Sequence, residues 1–495
     1  MEIICSTEQP EKMVCDAIVV GISQDGVLAD SIKNVDGALD GYASKLIKNK
    51  DFIPEFGCLK SITTLGKLPA KLVLLVGLGK KDVLSLESLR KLQALSIKVL
   101  REANAKEIVS ALSLVQISNT TISQRTNAVS EGAILGLYDF KQFKNIEKDK
   151  QKNVNRLVLL CDAAEKKDCE TAIKNAQTVC SAVTMVRHLV DLPSNIATPE
   201  YIVEQAEKLR SSFDVKILSK KDLEKAGCLA LLAVSQGSVL EPKLVILEYG
   251  DKKQKAIAFV GKGVTFDSGG VNLKPTGYCE TMKCDMAGAA TVLGIFKAVS
   301  DLKLPVHIVG AMPLCENMIS GSSYRPGDII KGFNGKTMEI ANTDAEGRVI
   351  LSDALSYVDK NYSPSAIIDL ATLTGACVSA LGSHAAGLMG SDTQLLKDIE
   401  EAGTVVHERV WQLPMWEEYL DMVKSDIADV RNTGKPDRHA GAITGAAFLK
   451  NFVSGPWAHL DIAGTAYLDE PFWYMPKGGT GWGVRLFVEY LRKLK

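Results

Sequence analysis

Short runs of β-branched and apolar residues alternate along most of this chain with segments whose apolar residues recur at helical spacing. This alternation favours a mostly parallel sheet with helices on both faces, because a helix must carry the chain back before the next parallel strand begins. In such sheets a ligand site lies beyond the carboxyl ends of the strands. The pattern therefore predicts an α/β fold and indicates where its chemistry belongs.

The lengths and positions of these runs predict the domain organisation. The predicted strands are Asp16–Ile22, Lys71–Val76, Arg156–Cys161, Lys243–Glu248, Ala256–Val260, Val306–Ala311 and Ala366–Leu370, and the predicted helices are Leu84–Ala103, Ala163–Val190, Met286–Val299 and Glu346–Val358. At roughly 100–200 residues per domain, 495 residues correspond to two or three domains. We expect a smaller N-terminal α/β domain over 1–160, a linking helix over 161–190, and a larger C-terminal domain over 191–495 with a mostly parallel or mixed sheet flanked by helices.

The composition argues against several kinds of partner. Lysine and arginine total 58 against 59 acidic residues, so net charge gives no reason to expect nucleic acid as the main partner. No apolar run reaches the roughly 18 residues that span a bilayer, and the first residues lack the pattern of a signal peptide. The eleven cysteines include no C-x-x-C pair and indicate reduced thiols. We therefore expect a cytoplasmic protein without a membrane partner.

A glycine-rich segment after the predicted strand Ala256–Val260 carries charged residues in apolar surroundings. Lys262 follows that strand directly, and Asp267 comes five residues later in Phe-Asp-Ser-Gly-Gly. Lys274 and Asp285 also lie among Gly, Ser, Ala and apolar residues. Charges in such surroundings would be desolvated, and a desolvated charge needs a partner or a metal.

A second segment, Asn342-Thr-Asp-Ala-Glu-Gly-Arg, adds two more acids. Asp344 and Glu346 project to the same side if the chain is extended there. The four carboxylates of both segments, with the amine of Lys262, could hold two divalent ions, and hard oxygen ligands suit Mg, Mn or Zn. Lysine ligates a metal only as the free amine, so binding must lower its pKa strongly.

Each segment alone also fits a simpler structural role. Asn342-Thr-Asp-x-Glu could be an N-cap with acids that favour the dipole of the helix that follows, Asp285 could be another helix cap, and Lys262 could be a lone surface charge in a turn. A phosphate-binding loop is excluded because the G-x-x-x-x-G-K-[ST] spacing is absent, and H-E-x-x-H and G-x-S-x-G are absent as well.

Together the segments resemble the leucyl (cytosol) aminopeptidase family of dinuclear metallo-exopeptidases. The heptapeptide Asn342–Arg348 is highly specific, and the remaining motifs come in the family's order and spacing. These motifs are Gly261-Lys-Gly, Phe266-Asp-Ser-Gly-Gly, Asp285-Met-Ala-Gly-Ala-Ala, Ala371-Thr-Leu-Thr-Gly-Ala and Trp457-Ala-His-Leu-Asp-Ile-Ala-Gly-Thr. The resemblance covers roughly 185–490, whereas the first 160 residues match only loosely.

The resemblance implies roles for individual residues. One divalent ion would be held by Lys262, Asp267, Asp285 and Glu346, and a second by Asp267, Asp344 and Glu346, with Mn or Zn expected and Mg or Co as alternatives. Lys274 matches the lysine that polarises the scissile carbonyl. Arg348 matches the arginine that anchors a bicarbonate ion, the general base, with help from the backbone near Leu373. The substrate pocket would be lined by Met282, Thr372, Gly375 and Ala463.

The implied function is a leucyl aminopeptidase that removes leucine and other apolar residues from the N-terminus of peptides, acts in peptide turnover and assembles as a homohexamer. Three alternatives stay open. A dinuclear phosphoesterase would be expected to carry histidines in the motif, and there are none. A DNA-binding or scaffolding role lacks a recognisable DNA-binding motif. An inactive relative would be expected to have lost ligands, and this chain keeps all of them.

Overall fold

A computed structural model describes residues 1–26, 30–145, 152–437 and 439–494. The chain divides into two units. The first consists of Met1–Cys180 with Pro471–Pro476, and the second of Ser181–Glu470 with Lys477–Lys495. The division falls within the helix Lys166–Asp191, which corresponds to the predicted helix Ala163–Val190.

The first unit is built on a six-stranded sheet. Its strands are β1 (Glu2–Ser6), β2 (Ala17–Ser23), β3 (Leu59–Thr63), β4 (Leu72–Gly79), β5 (Glu107–Ser110) and β6 (Arg156–Leu160), and its helices are α1 (Asp30–Ala38), α2 (Tyr42–Lys48), α3 (Leu86–Glu102) and α4 (Ile122–Gly136). The strands are ordered β1-β6-β5-β2-β4-β3, and every pairing except β3–β4 is parallel. This is the parallel α/β sheet that the strand and helix pattern predicts.

Both faces of that sheet carry a hydrophobic core. Along β2, Ala17 and Val19 belong to one core cluster, whereas Ile18 and Val20 belong to the other. The alternation follows from the period of two in a strand, so a strand covered on both faces is apolar throughout. Helices α3 and α4 pack on the first face, and α1 and α2 on the second.

The second unit contains the remaining elements, with α5 (Lys166–Asp191) leading into it. Its strands are β7 (Asp214–Leu218), β8 (Lys243–Tyr249), β9 (Ile257–Gly261), β10 (Gly263–Asp267), β11 (Ile308–Asn317), β12 (Ile329–Lys331), β13 (Thr337–Glu339), β14 (Ala366–Ala371), β15 (Ala386–Gly390), β16 (Val410–Gln412), β17 (Val430–Arg431), β18 (Trp457–Asp461), β19 (Tyr467–Leu468) and β20 (Gly478–Gly479). Its helices are α6 (Pro199–Glu207), α7 (Lys220–Ala226), α8 (Leu229–Ser235), α9 (Ala287–Leu302), α10 (Glu346–Tyr362), α11 (Gly375–Leu381), α12 (Thr393–Val406), α13 (Glu417–Asp421), α14 (Gly441–Lys450) and α15 (Val484–Lys493).

The main sheet of this unit has nine strands and is mixed. Its order is β16-β15-β18-β14-β9-β11-β8-β7, and β10 pairs with β11. The pairings of β18, β14, β9, β11 and β10 are parallel, while β8 and β15 run antiparallel to their inner neighbours. Helices α8, α10 and α14 share a core cluster with one face. On the other face Phe259 of β9 contacts Phe487 of α15, with ring centroids 5.1 Å apart.

The parallel strands end at one edge of this sheet, and polar residues gather there. β9 ends one residue before Lys262, and β10 ends at Asp267. β11 ends at Asn317, β14 ends one residue before Thr372, and β18 ends at Asp461. Because these strands are parallel, their carboxyl ends lie side by side, which is where the sequence places the chemistry.

The cysteines agree with the sequence interpretation. All eleven are free thiols, and nine of them are buried. Burial raises the pKa of the Cys15 and Cys228 thiols to about 12, so both stay protonated and unreactive at neutral pH. In the described part of the chain, no helix combines the length and apolarity needed to cross a bilayer.

Candidate metal centre

Three carboxylates from two separate segments converge at the carboxyl edge of the nine-stranded sheet. Asp267 closes β10, Asp344 lies in the turn before α10, and Glu346 is the first residue of α10. One oxygen of each lies within 4.8 Å of the others. Asp285, in the short 3₁₀ helix Met282–Met286, joins them through Lys262. The sequence segments containing these acids therefore form one cluster.

Lys262 pairs with two of the acids from the position directly after β9. Its Nζ lies 2.7 Å from Asp285 Oδ1 and 2.8 Å from Glu346 Oε1. The same Nζ donates a hydrogen bond to the carbonyl oxygen of Thr372 at 2.9 Å. The side chain is almost fully buried, so the alternative of an exposed charge in a turn is wrong.

Lys274 pairs with the other two acids. Its Nζ lies 2.7 Å from Asp267 Oδ2 and 2.5 Å from Asp344 Oδ1. Two lysines thus face four carboxylates, and each ammonium group bridges a pair of them. The structure brings together all six of these predicted residues.

The backbone around Asp344 differs from the extended conformation considered from the sequence. The chain turns at 343–344 and enters α10 at Glu346, because the Asn342 side chain accepts the Asp344 N–H at 2.8 Å and closes the turn. Ala345 is the N-cap of α10 and makes no side-chain cap bond. The N-cap interpretation of this segment is therefore wrong, although Glu346 does lie in the first turn of α10. The carboxylates converge through a turn rather than through strand alternation.

Asp285 is not a helix cap either. It lies inside the short 3₁₀ helix Met282–Met286, and Met286 is the N-cap of α9 without any side-chain cap bond. Its Oδ1 accepts a hydrogen bond from Thr372 Oγ1 at 2.7 Å. The carboxylate points into the cluster instead of back to its own helix.

Burial and mutual repulsion shift the pKa values of these carboxyl groups. Burial, together with the charge of Glu346, raises the pKa of Asp267 well above its usual range. Burial raises the pKa of Asp285 to about 6, against the opposing charge of Lys262. Carboxylates crowded in this way favour a cation between them.

Glu346 and Lys262 show the opposite balance. Burial acts to raise the pKa of Glu346, but the charges of Lys262 and Lys274 outweigh it and lower that pKa. Burial acts to lower the pKa of Lys262, but the carboxylates around it raise that pKa above its ordinary value. Each group is therefore ionised because its partners are ionised.

The donor set fits divalent metal ions. Asp285 Oδ2 and Glu346 Oε2 are buried and have no hydrogen-bond partner among the described residues. A buried carboxylate oxygen without a partner is costly, and a cation relieves that cost. Hard carboxylate oxygens suit Mn, Mg or Zn. A cation beside Asp285 and Glu346 would also remove the attraction that holds the proton on Lys262 and so favour its free amine.

Arg348 lies in the first turn of α10 and is buried. Its Nη1 donates to the Asn432 carbonyl oxygen at 3.1 Å, and its Nε has no partner in the described part of the chain. Burial lowers the pKa of this guanidinium, which nevertheless keeps its charge. A buried guanidinium with an unpaired N–H is suited to bind an anion. The Leu373 N–H, expected beside that anion, donates to Asp461 Oδ1 at 3.2 Å in this structure.

Asp461 organises the segments that carry three of the four predicted pocket residues. Its Oδ1 accepts the N–H groups of Leu373, Thr374 and Ala463, and its Oδ2 accepts Thr374 Oγ1 at 2.6 Å. Thr372 and Gly375 flank that first segment. A side chain added at Gly375 would meet no atom within 4 Å, so open space lies in front of it. Met282 begins the 3₁₀ helix that carries Asp285.

Three residues of this region were not singled out from the sequence, namely Asn317, Asn432 and Asp461. Asn317 and Asp461 have a local signal, because each is a polar residue ending an apolar strand. Asn432 has none. Its side-chain amide accepts the Ala341 N–H at 2.8 Å and donates to the Asn342 carbonyl oxygen at 2.7 Å, across some 90 residues of sequence.

Comparison with known families identifies the chain. A model described as the cytosol aminopeptidase family, catalytic domain, matches residues 184–488, which include every residue of the cluster. The chain belongs to the cytosol aminopeptidase family. The N-terminal domain model of the same family matches residues 19–147, the part whose resemblance is loose by sequence motif. As a member of the cytosol aminopeptidase family, the chain is a metal-dependent aminopeptidase with the two-domain α/β architecture expected from its sequence.

Relatives in the cytosol aminopeptidase family align along the whole chain. A probable cytosol aminopeptidase of Geobacter sp. (strain M21) is 41% identical over 498 residues, covering 100% of both chains. A second, of Geotalea uraniireducens (strain Rf4), is 42% identical over 501 residues, again covering 100% of both.

Solved structures agree in fold. A mutant of tomato leucine aminopeptidase superposes with a TM-score of 0.89 at 34% identity, over 100% of this chain and 97% of that one. The bottromycin maturation enzyme BotP in complex with Mn superposes with a TM-score of 0.85 at 32% identity, over 97% and 99%.

Proposed function

We propose that this metal-dependent aminopeptidase is a leucyl aminopeptidase that works with two divalent ions. The observation that carries the proposal is the convergence of Asp267, Asp344 and Glu346 within 4.8 Å, beside the Lys262–Asp285 pair. Lys262, Asp267, Asp285 and Glu346 would hold one ion, and Asp267, Asp344 and Glu346 the other. Manganese or zinc is favoured, with Mg or Co as alternatives. The manganese in the similar BotP structure supports this choice.

The bound ions would supply activation of a water molecule and stabilisation of negative charge on the carbonyl oxygen. The chain's own residues would recognise the substrate's amino group and its carbonyl oxygen. The carboxylate of Asp285 would accept the substrate's free amino group, which explains the requirement for an N-terminus. Because Lys274 stays protonated beside its carboxylates, it would direct its ammonium group at the carbonyl oxygen as negative charge develops there.

Arg348 would bind a bicarbonate ion, which supplies a general base when present. The support is its burial and its unpaired Nε, because a guanidinium binds a planar anion through two parallel N–H bonds. The backbone N–H of Leu373 would also donate a hydrogen bond to the bicarbonate, in place of the one it now donates to Asp461. Arg348 would then orient the bicarbonate, and the bicarbonate would accept the proton.

Leucine and other apolar N-terminal residues are the proposed substrates. Met282, Thr372, Gly375 and Ala463 would line the side-chain pocket, and a Cβ atom at Gly375 would meet no atom within 4 Å. The similar tomato protein is named a leucine aminopeptidase. The proposed partners are peptides, and we propose neither a membrane nor a nucleic acid as a partner. The proposed location is the cytoplasm, in agreement with the relatives' name of cytosol aminopeptidase. We also propose a homohexamer, which native mass measurement would check.

Hydrolysis of leucine p-nitroanilide tests this function. Activity of the purified chain should disappear after chelation, return with Mn²⁺ or Zn²⁺, and be absent on the N-acetylated substrate. The acetylated substrate is the matched control, because it keeps the side chain and the scissile bond and lacks only the amine. Two bound ions per chain without any activity would mean that the site acts on another bond.

A further inference from the structure

Asn317, the last residue of β11, contacts both segments that carry carboxylates of the cluster. It is fully buried. Its Nδ2 donates to Asp267 Oδ1 at 2.8 Å and to the carbonyl oxygen of Thr343 at 3.0 Å. Its backbone carbonyl oxygen accepts the N–H and the hydroxyl of Ser268, at 3.0 and 2.8 Å. One asparagine therefore joins the end of β10 to the turn that contains Asp344.

These contacts decide which oxygen Asp267 offers to a metal. Asp267 Oδ1 accepts the Asn317 amide and also the Gly269 N–H at 2.9 Å. A carboxylate oxygen has two lone-pair positions, so both of those on Oδ1 are used within the protein. Oδ2 remains and faces Lys274 Nζ at 2.7 Å. Asn317 thus helps to occupy one oxygen of the Asp267 carboxylate and leaves the other oxygen to bind a metal ion.

The second contact of Asn317 holds the Asp344 turn. The carbonyl oxygen of Thr343 accepts both the Asn317 amide and the Tyr324 hydroxyl, the latter at 2.8 Å. The Thr343 N–H is bound to the side chain of Asn272 at 2.8 Å. The peptide groups before and after Thr343 are therefore both held by hydrogen bonds, and Asp344 follows directly.

We propose that Asn317 is a positioning residue for the two-ion site. Its single amide group holds Asp267 and the Asp344 turn at the separation that two neighbouring ions need. The inference rests on the proposed two-ion function and adds to it a residue that touches neither ion. Outer hydrogen-bond partners of metal ligands typically change metal affinity by 10–100-fold when they are removed.

The test uses the full-length protein after chelation, titrated with Mn²⁺ alone by calorimetry. Asn317→Asp has nearly the same shape but replaces the donor facing Asp267 with an acceptor, and Asn317→Ala removes the group. Asn361→Ala is the matched control, because Asn361 also donates its amide to a carbonyl oxygen, that of Tyr357 at the end of α10, away from the cluster. Thermal unfolding of the metal-free proteins and electron paramagnetic resonance of the Mn²⁺-loaded proteins complete the set.

The wild type and Asn361→Ala should bind two Mn²⁺ per chain and give the spectrum of a coupled pair. Both Asn317 variants should bind at least one ion about 10–100-fold more weakly and lose that coupling. Weaker binding by Asn317→Asp is decisive, because its added negative charge alone would strengthen cation binding. If Asn317→Ala does not fold, the near-isosteric variant still provides the test.

Two outcomes would overturn the inference, and they are distinguishable. Two-ion binding by the wild type, with equal affinity and coupling in folded Asn317→Asp, means that Asn317 only supports the fold. A wild-type chain that binds no Mn²⁺ overturns the proposed two-ion function and the inference together.

Discussion

The side chain of Lys262 crosses the first turn of α10 directly over Gly347. A Cβ atom at position 347 would lie 2.5 Å from Lys262 Cε and 2.7 Å from its Nζ. Because the same Nζ lies 2.8 Å from Glu346 Oε1, the absence of a side chain at Gly347 is what lets the lysine reach the carboxylates. The glycine of the Asn342–Arg348 heptapeptide is thus explained by close packing rather than by backbone conformation.

Gly347→Ala should weaken metal binding while the chain still folds. Alanine favours the helix by about 1 kcal/mol relative to glycine, but its methyl group would push the end of Lys262 away from Glu346. We expect at least a tenfold loss of Mn²⁺ affinity and of activity, measured by calorimetry and by leucine p-nitroanilide hydrolysis. Gly321→Ala is the control, because a Cβ there meets no atom within 4 Å. Unchanged Mn²⁺ affinity in Gly347→Ala would show that Lys262 is not needed as a ligand.

Lys274→Ala should separate metal binding from catalysis. The lysine neutralises Asp267 and Asp344 in this structure, and its removal leaves both carboxylates available to a cation. We expect two bound ions and a kcat lower by about 10²–10³, the usual cost of one oxyanion donor. Asp344→Ala should instead lose metal, because it removes a proposed ligand. Metal content and kcat of both variants are the measurements.

Lys297→Ala serves as the control for Lys274→Ala. Lys297 pairs with Asp301 on the surface of α9, so its loss removes a lysine charge far from any predicted role. Full activity of Lys274→Ala, or full metal content of Asp344→Ala, would contradict the role assigned to that residue.

Asp461→Asn should change substrate selection without changing metal binding. An asparagine has only one acceptor oxygen, so its NH2 group must face either the Thr374 hydroxyl, which Oδ2 now accepts at 2.6 Å, or the N–H groups on Oδ1. In either orientation the Leu373–Thr374 segment loosens. We expect a loss of stability of about 1–3 kcal/mol, the usual cost of a buried hydrogen bond to a charged group. The kcat/KM for leucine substrates should fall more than that for alanine substrates, because the larger side chain depends more on the pocket wall.

Asp359→Asn is the matched control for Asp461→Asn. Asp359 Oδ2 also accepts an N–H and a hydroxyl, both from Ser454, but at the surface. Its variant should keep the wild-type ratio of kcat/KM values. The same fall for both substrates in Asp461→Asn would mean that Asp461 supports the fold and not the pocket.

Asp16 gives the first unit a stability that depends on pH. Burial acts to raise its pKa, but the ammonium group of Lys71 outweighs it. With further help from two backbone N–H groups, the pKa falls from 3.8 to about 2. A carboxyl pKa that is lower in the folded state stabilises the fold above the unfolded value, and the gain is lost as pH falls through the folded value.

Asp16→Asn should therefore destabilise the protein at pH 7 by about 1–2 kcal/mol, and the difference should vanish between about pH 4 and pH 2. Urea unfolding at several pH values measures it. Asp40→Asn, which removes the exposed partner of Lys67, is the control and should leave stability unchanged. A difference that persists at pH 2 would show that the Asp16 effect is not one of charge.

Much of the fold was predictable because strands and helices follow from local patterns. The strand predicted at Ala366–Leu370 is observed at Ala366–Ala371, and the helix predicted at Glu346–Val358 is observed at Glu346–Tyr362. Buried strands are apolar along their whole length and helices repeat every 3.6 residues, so both are visible in one sequence. The ends are less well determined, since they depend on caps and turns.

The charged members of the site were also predictable, for a related reason. A lysine or aspartate in a glycine-rich, apolar segment is costly unless it has a partner, and Lys262 and Asp285 stand out on that ground alone. The conformation that brings them together did not follow from the sequence. Asp344 reaches the cluster through a turn closed by Asn342, because a side-chain acceptor at that position competes with an extended backbone.

The sequence by itself determined the α/β class, the six charged residues of the cluster and the family to which they belong. Only the tertiary structure decided that the uncharged residues Asn317 and Asn432 hold the carboxylate segments in place and that Asp461 holds the segments of the predicted pocket. The physical reason is that their hydrogen bonds join segments 26 to 90 residues apart, so even a polar residue at the end of a strand gives no sign of the partner it will bind. In the sequence, an asparagine in a surface loop cannot be distinguished from one at the buried end of a strand. Only folding places a carboxylate next to it.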